Sequence, residues 1–218
     1  MSRVSSPPLS SRPLPSPLYA ILDPTQTKGR PPVSILSALL VGGAAIVQLR
    51  AKEMPPNEFF RLAQEVREHT RSSGCLFIVN DRVDIALASQ ADGVHLGQDD
   101  LPLRVARKLM GKKIVGISTH DLEQAVEAEK GGADYIGFGP IFGTATKQTG
   151  YSARGLAMLR EVRKAVKLPI VAIGGVTEEN VTQVWQAGAV SAAMISDLMA
   201  AEDVAEKVRR ILALRQSL

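Results

Sequence analysis

The sequence predicts a single (β/α)8 barrel. Eight short apolar runs, almost continuous in Val, Ile, Leu and Ala, alternate with longer amphipathic segments along the 218 residues. Runs of that kind are what parallel strands buried on both faces require, and eight strand–helix units is the barrel's count. The polar clusters also fall just after these runs, at the strand ends where a barrel assembles its sites. An open doubly wound sheet is the main alternative. It usually has fewer strands, and no G-x-G-x-x-G follows the first run.

The predicted strands are Leu18–Leu22, Ala45–Leu49, Leu76–Val79, Gly93–Leu96, Ile114–Ser118, Tyr135–Phe138, Ile170–Ile173 and Val190–Met194. Between them the 3.6-residue period predicts helices at Val33–Val41, Pro56–Ser72, Val83–Ser89, Leu101–Met110, Leu122–Lys130, Ala157–Ala165, Thr177–Ala187 and Val204–Leu214. Residues 1–17, MSRVSSPPLSSRPLPSP, lack any hydrophobic period and are expected to be a disordered extension, so the catalytic domain is residues 18–218. The extension has no apolar run of a secretory signal, and its prolines oppose the amphipathic helix of a transit peptide. A weak echo joins Ala91–Val94, Gly132–Ile136 and Ala187–Val190. Each ends a helix on or near a glycine and enters a strand, so the echo marks boundaries without requiring duplication.

Composition narrows the function. Aromatic residues make up only 4% of the chain, so the core is aliphatic. The net charge of +4 comes without a long Lys/Arg run or an aromatic-rich basic stretch, which argues against nucleic acid and for small phosphorylated anions. No segment is long and apolar enough to span a membrane. Cys75 is the single cysteine, which excludes an intrachain disulfide, fits a cytoplasmic protein and is expected to be buried and inert. The sequence leaves a homo-oligomer open.

The chemistry concentrates in a few clusters. In Gln48-Leu49-Arg50-Ala51-Lys52, strand alternation puts Gln48, Arg50 and Lys52 on one face. Two cations there call for an anion; the competing reading is a solvated strand end paired with Glu53. Asp81 and Asp100 offer hard oxygen ligands, and a polyphosphate bridged by Mg²⁺ would reconcile both signs of charge. Locally, however, Asn80-Asp81 also reads as a helix N-cap before Val83, and Asp100 as an N-cap before Leu101-Pro102. His95 inside strand four reads as a satisfied core residue. Ser118 shares parity with Gly116, and Asp121 begins the next helix. The segment after strand six, Ile141 to Gly150, is long for a βα connection, and its Thr, Gly and Lys suit a phosphate-gripping lid. Gly174-Gly175 and Ile195-Ser196 close strands seven and eight, where barrels commonly bind phosphate; the glycines would expose backbone N–H groups at a helix start. Trp185 reads as ordinary packing.

In this order the clusters resemble the thiamine-phosphate synthase family. The resemblance runs from about Leu18 to about Leu198 and is carried by Gln48–Lys52, Phe77–Asp81, Gly93–Asp100, Gly116–Ser118, Thr144–Lys147 and Ala172–Val176. It implies a (β/α)8 transferase that joins an aminopyrimidine methyl diphosphate to a thiazole phosphate, with Mg²⁺ as cofactor and pyrophosphate as by-product. By position, it implies that Gln48, Leu49, Arg50, Ala51, Lys52, Asn80, Ser118 and Lys147 hold the pyrimidine diphosphate. Arg50, Lys52, Ser118 and Lys147 would be catalytic. Asp81 and Asp100 would ligate the metal, and Thr144, Ala145, Thr146, Gly175, Ile195 and Ser196 would hold the thiazole phosphate. Two departures from the family pattern are Ala51, where an acidic residue is common, and Gly143, where proline is common. No protein nucleophile is evident, as expected if the aminopyrimidine itself carries the cation left by diphosphate. The rival readings are the metal-free thiazole tautomerase of the same family, which His120 would suit, and a non-catalytic barrel that binds thiamine phosphate.

Overall fold

The computed structural model describes residues 14–143 and 152–218. Eight parallel strands close into a barrel in sequence order. They are β1 (Leu18–Leu22), β2 (Ile46–Leu49), β3 (Leu76–Asn80), β4 (Gly93–Leu96), β5 (Ile114–Thr119), β6 (Tyr135–Phe138), β7 (Ile170–Ala172) and β8 (Ser191–Met194). Closure is direct: Tyr19 of β1 lies in register with Ala193 of β8.

Helices return the chain outside the ring: α1 (Pro32–Val41), α2 (Pro56–Ser73), α3 (Val83–Ala88), α4 (Leu103–Met110), α5 (Leu122–Lys130), α6 (Gly155–Ala165), α7 (Val181–Gln186), the short α8 (Ser196–Met199) and α9 (Val204–Gln216). Their inner faces pack on the outward strand residues in one aliphatic core, with Leu36, Leu39, Ala63 and Val66 essentially solvent-free. Asp121 caps α5 as expected, accepting from the Gln124 N–H at 2.8 Å.

Several boundaries move for identifiable reasons. The helix expected over Thr177–Ala187 begins only at Val181. Asn180 takes over the preceding turn: its Oδ1 accepts from Thr177 N–H and its Nδ2 donates to the Gly175 carbonyl, both at 2.9 Å. Consequently Gly174-Gly175 do not open a helix. α4 starts at Leu103 behind Pro102, and no side chain caps it. Likewise Arg82, not Asn80 or Asp81, precedes α3, without a side-chain cap. The 3₁₀ turn Pro24–Gln26 and α8 were not anticipated, since both are too short to show a period.

The echo noted in the sequence has a structural cause at two of its three places. Asp92, just before β4, accepts from the Phe77 N–H at the start of β3 (2.8 Å) and pairs with Arg67 of α2. Asp134, just before β6, accepts from the Val115 N–H in β5 (2.7 Å) and pairs with Arg107 of α4. Each carboxylate thus satisfies a donor near a strand start and ties the helix before the preceding one to the barrel floor.

The barrel also grips the chain before Leu18. Ser16 is buried, and its hydroxyl accepts from the Leu18 N–H at 3.1 Å. The Pro17 carbonyl accepts from Ala192 N–H at 2.8 Å and from the Trp185 indole at 3.1 Å. The expected boundary between a free extension and the domain at residue 17 is therefore corrected: Ser16 and Pro17 are part of the floor, and Trp185 is an anchor as well as packing.

We expect Asp134→Ala to lower the melting temperature by about 4–8 °C, for a loss of roughly 2 kcal/mol of charge-assisted bonding. Lys130→Ala, which removes an exposed pair with Glu127, should shift it by less than about 2 °C. Thermal unfolding of both variants checks the contrast.

Candidate active site

The C-terminal rim of the barrel gathers most of the described residues singled out by sequence, but not in the pairing expected. Gln48 points into the barrel, buried to 2% exposure, and its Nε2 donates to the Tyr19 hydroxyl at 3.0 Å. Its Oε1 is buried with no partner among the described residues. Arg50 extends the β2 ladder by one bond, its N–H donating to the Leu22 carbonyl at 2.9 Å. Its guanidinium pairs with Asp23, a carboxylate at the end of β1 that is 1% exposed and also accepts from Thr25 N–H and Oγ1. The Arg50 Nε is buried and unpartnered among the described residues. Lys52 lies in the turn after the strand, where alternation no longer applies, and pairs with Asp81 at 3.1 Å.

Each cation therefore already has a carboxylate, and neither partner is Glu53. Asp23 was missed by sequence reading. The available signal was an acid immediately after a strand, the same logic that selected Asp81. Leu49 and Ala51 are packed in the core, so only their backbones can face a ligand.

Asn80 is buried at the end of β3. Asp81 follows with φ +63°, a left-handed conformation that Asp tolerates better than most residues. Its carboxyl is half-buried and lies within hydrogen-bond reach of Asp100, the two effects that raise its pKa, while Lys52 acts in the opposite direction. Asp100 does not cap α4; its Oδ2 accepts from the Gly97 N–H at 2.6 Å, which holds the carboxylate over the β4 end. Two carboxyls so close are hard to ionise together without a cation beside them, and an oxygen-only set suits a hard divalent ion. The residues present thus fit Mg²⁺. Among the described residues no third acidic, His or Cys ligand joins them. A site of two carboxylates leaves coordination positions for water or phosphate oxygens.

Ser118, half-buried on β5, sits 2.9 Å from His95 Nε2. His95 is buried as expected, but its ring faces the site and also meets the Tyr135 hydroxyl at 3.0 Å through Nδ1. Tyr135 in turn lies 2.7 Å from the Tyr19 hydroxyl. Sequence reading placed His95 in the core and gave no role to Tyr19 or Tyr135, because no local pattern announces a contact between strands 116 residues apart. Burial pushes both phenols above the ordinary tyrosine range. Against this polar wall stand Ile21, Val171, Ile173 and Ala193, and between them lies a narrow axial cleft, about 250 Å³ only when the open space at its mouth is counted and with room inside for about one water.

On the far rim, Gly175 has φ +63° and sits where a Cβ would come 2.6 Å from the Gly143 carbonyl oxygen. Glycine is thus required there to let the β6 and β7 loops meet. The Ile195 side chain is buried, while Ser196 is exposed as the first residue of α8. His120 Nδ1 donates to the Gly139 carbonyl at 2.6 Å and ties the β5 and β6 ends together. Cys75 is buried just before β3, as expected, and its thiol is pushed up to about 12 chiefly by burial and then by Asp92. Thr144, Ala145, Thr146 and Lys147 lie outside the described residues.

A family model described as thiamine monophosphate synthase matches residues 18–198. The chain belongs to this family. It is 46% identical over 197 residues to a thiamine-phosphate synthase of Chloroflexus aurantiacus, covering 90% of this chain and 91% of that one. With the thiamine-phosphate synthase of Moorella thermoacetica it shares 48% identity over 195 residues, 89% and 93% of the two chains. Among solved structures, a thiamine phosphate pyrophosphorylase from Pyrococcus furiosus superimposes with a TM-score of 0.84 at 38% identity, covering 92% and 96%. The family is one of transferases, and its membership bears out both the resemblance and the barrel.

The raised pKa of Asp81 has a signed consequence. Between the ordinary Asp value and the raised one, the folded state holds more protons than the unfolded state, so metal-free stability falls as pH rises through that window. Asp81→Asn keeps the left-handed tolerance and removes the charge. We expect it to raise the metal-free melting temperature at pH 7 by about 2–4 °C per kcal/mol relieved, with a smaller gain at pH 4. Thermal melts in chelator at the two pH values check this.

Proposed function

We propose that the protein is a thiamine-phosphate synthase. It would join 4-amino-2-methyl-5-(diphosphooxymethyl)pyrimidine to a thiazole phosphate, yielding thiamine phosphate and pyrophosphate with Mg²⁺ as cofactor. The observation that carries this reading is the Asp81–Asp100 carboxyl pair beside Lys52, just past the C-terminal ends of β2, β3 and β4.

A flat heterocycle would sit at the mouth of the axial cleft. Its polar edge would meet Gln48 and His95, which line the cleft, and Ser118 beside His95, and its face the aliphatic side chains of β7 and β8. The unpartnered Gln48 Oε1 is a buried acceptor that an exocyclic amine would satisfy. The diphosphate would then lie over the rim. There the arriving phosphates would draw Lys52 away from Asp81 and engage Arg50 through its unpartnered Nε, while Asp23 keeps the guanidinium in place. Asp81 and Asp100 would hold Mg²⁺, which when bound supplies positive charge to the leaving diphosphate. Arg50 and Lys52 add charge where it develops as the C–O bond breaks, joined by Lys147 on the strength of the family pattern. Thr144, Ala145, Thr146, Gly175, Ile195 and Ser196 would position the thiazole phosphate, so that its ring nitrogen attacks without a protein nucleophile.

Pyrophosphate release from the two synthetic substrates, with and without Mg²⁺, tests the assignment. A tautomerase or a binding-only barrel releases none. Asp81→Ala and Asp100→Ala should each lower turnover on the order of a hundredfold, and the double variant far less than the product of the two, because both serve one cation. Fully multiplicative losses would show that they do not share it.

A further inference from the structure

The hydrogen bonds along the barrel axis form one continuous chain: Gln48, Tyr19, Tyr135, His95, Ser118. Each link is 2.7–3.0 Å long and each joins a different strand, β2 to β1 to β6 to β4 to β5. We infer that this chain is a one-way donor relay that holds His95 in its Nε2–H tautomer and so leaves the Ser118 hydroxyl, near the C-terminal end of β5, as a hydrogen-bond donor.

The direction follows from proton counting. The Gln48 amide nitrogen can only donate, so Tyr19 oxygen accepts from it. Tyr19 has no other acceptor among its hydrogen-bond partners, so satisfying its buried proton sends it to Tyr135, whose own proton then goes to His95 Nδ1. An imidazole that accepts at Nδ1 carries its proton on Nε2 when neutral, and that proton goes to Ser118 Oγ. The Ser118 proton remains for a ligand that reaches the end of β5. Run in reverse, the chain would need an acceptor at the Gln48 end and would present Ser118 as an acceptor instead.

Packing keeps the relay in place. The rings of His95 and Tyr135 stack with centroids 5.5 Å apart and planes 28° from parallel. In register, Gly116 separates His95 from Tyr135, and a Cβ at Gly116 would come 2.1 Å from the Tyr135 ring. The glycine at this position is what lets the two rings meet across β5. Tyr19, Tyr135 and His95 are therefore positioning residues that act through Ser118. That Ser118 touches the substrate rests on the reading proposed above; the tautomer does not.

The test has two readouts. In ¹⁵N NMR spectra of the full chain at neutral pH, with His95→Gln used to assign the signals among the three histidines, the relay requires a protonated Nε2 and a bare Nδ1. A proton on Nδ1, or on both nitrogens, would overturn it. Tyr135→Phe keeps the ring and removes only the bond, so His95 should become a mixture of tautomers; an unchanged spectrum would also overturn it. Should that variant fail to fold, the wild-type spectrum still decides, and Tyr19→Phe supplies the same perturbation one link away. In kinetics, Tyr135→Phe should lower kcat about tenfold, the worth of one hydrogen bond. Tyr135→Phe combined with Ser118→Ala should be no slower than Ser118→Ala alone, because the relay acts only through Ser118. Additive losses would reduce the tyrosines to structural residues. An inactive wild type with the expected spectrum would count against the proposed function and leave the relay standing.

Discussion

Closing eight strands into a ring forces every second side chain toward one axis, where polar atoms lose water and can find partners only in one another. Here that axis carries Gln48, Tyr19, Tyr135, His95 and Ser118. An unsatisfied buried polar atom costs about 1–3 kcal/mol, so five such residues would undo much of a marginal fold unless they were connected. Connection in turn dictates neighbours: Gly116 must lack a side chain for the rings of its register partners to fit. The chain leaves two atoms unmatched among the described residues, Gln48 Oε1 and, in the direction inferred, the Ser118 proton. The polar axis is thus both the condition for closure and the start of the site.

The rim is built on a second constraint, charge already paired before any ligand arrives. Arg50 against Asp23 and Lys52 against Asp81 differ in kind. Asp23 is almost wholly buried and bound by Thr25 as well, so the Arg50 pair is anchored, and breaking it would strand a desolvated carboxylate. The Lys52 side chain is 47% exposed, so its bond to Asp81 is weak and exchangeable. Asp81 is the unsettled group of the set. It is held in a left-handed conformation, crowded by Asp100 and only partly relieved by Lys52. Unrelieved repulsion of this kind marks a place where a cation or a new cationic partner gains most.

The barrel itself was legible in the sequence. Period-2 and period-3.6 patterns are local, and buried parallel strands leave an unmistakable apolar run, so the predicted strands match the observed ones to within about a residue at each end. Short pieces escaped because a four-residue helix has no period to read. Cap and ligand both stay open in the sequence for Asn80-Asp81 and Asp100, because the local chemistry suits either use. Asp100 binds Gly97, and Asp81 turns toward Lys52 and Asp100. The echo of Asp92 and Asp134 was visible, but its purpose lay in Arg67, Arg107 and the strand-start amides, contacts that cross elements.

The same division applies to the site. Which residues stand at the strand ends follows from the chain alone, because the apolar runs fix the strand order; that Gln48, Arg50, Lys52, Asn80, Asp81, Asp100 and Ser118 belong to one site is what the family resemblance implies. Which of them touch was decided only in three dimensions. Asp23 reaches Arg50 across the β1–β2 seam, and His95 reaches Ser118 and Tyr135 because Gly116 gives way between them. The physical reason is that pairing depends on barrel register and on the volume left between side chains from strands distant in sequence. Neither quantity is a property of any local stretch of residues.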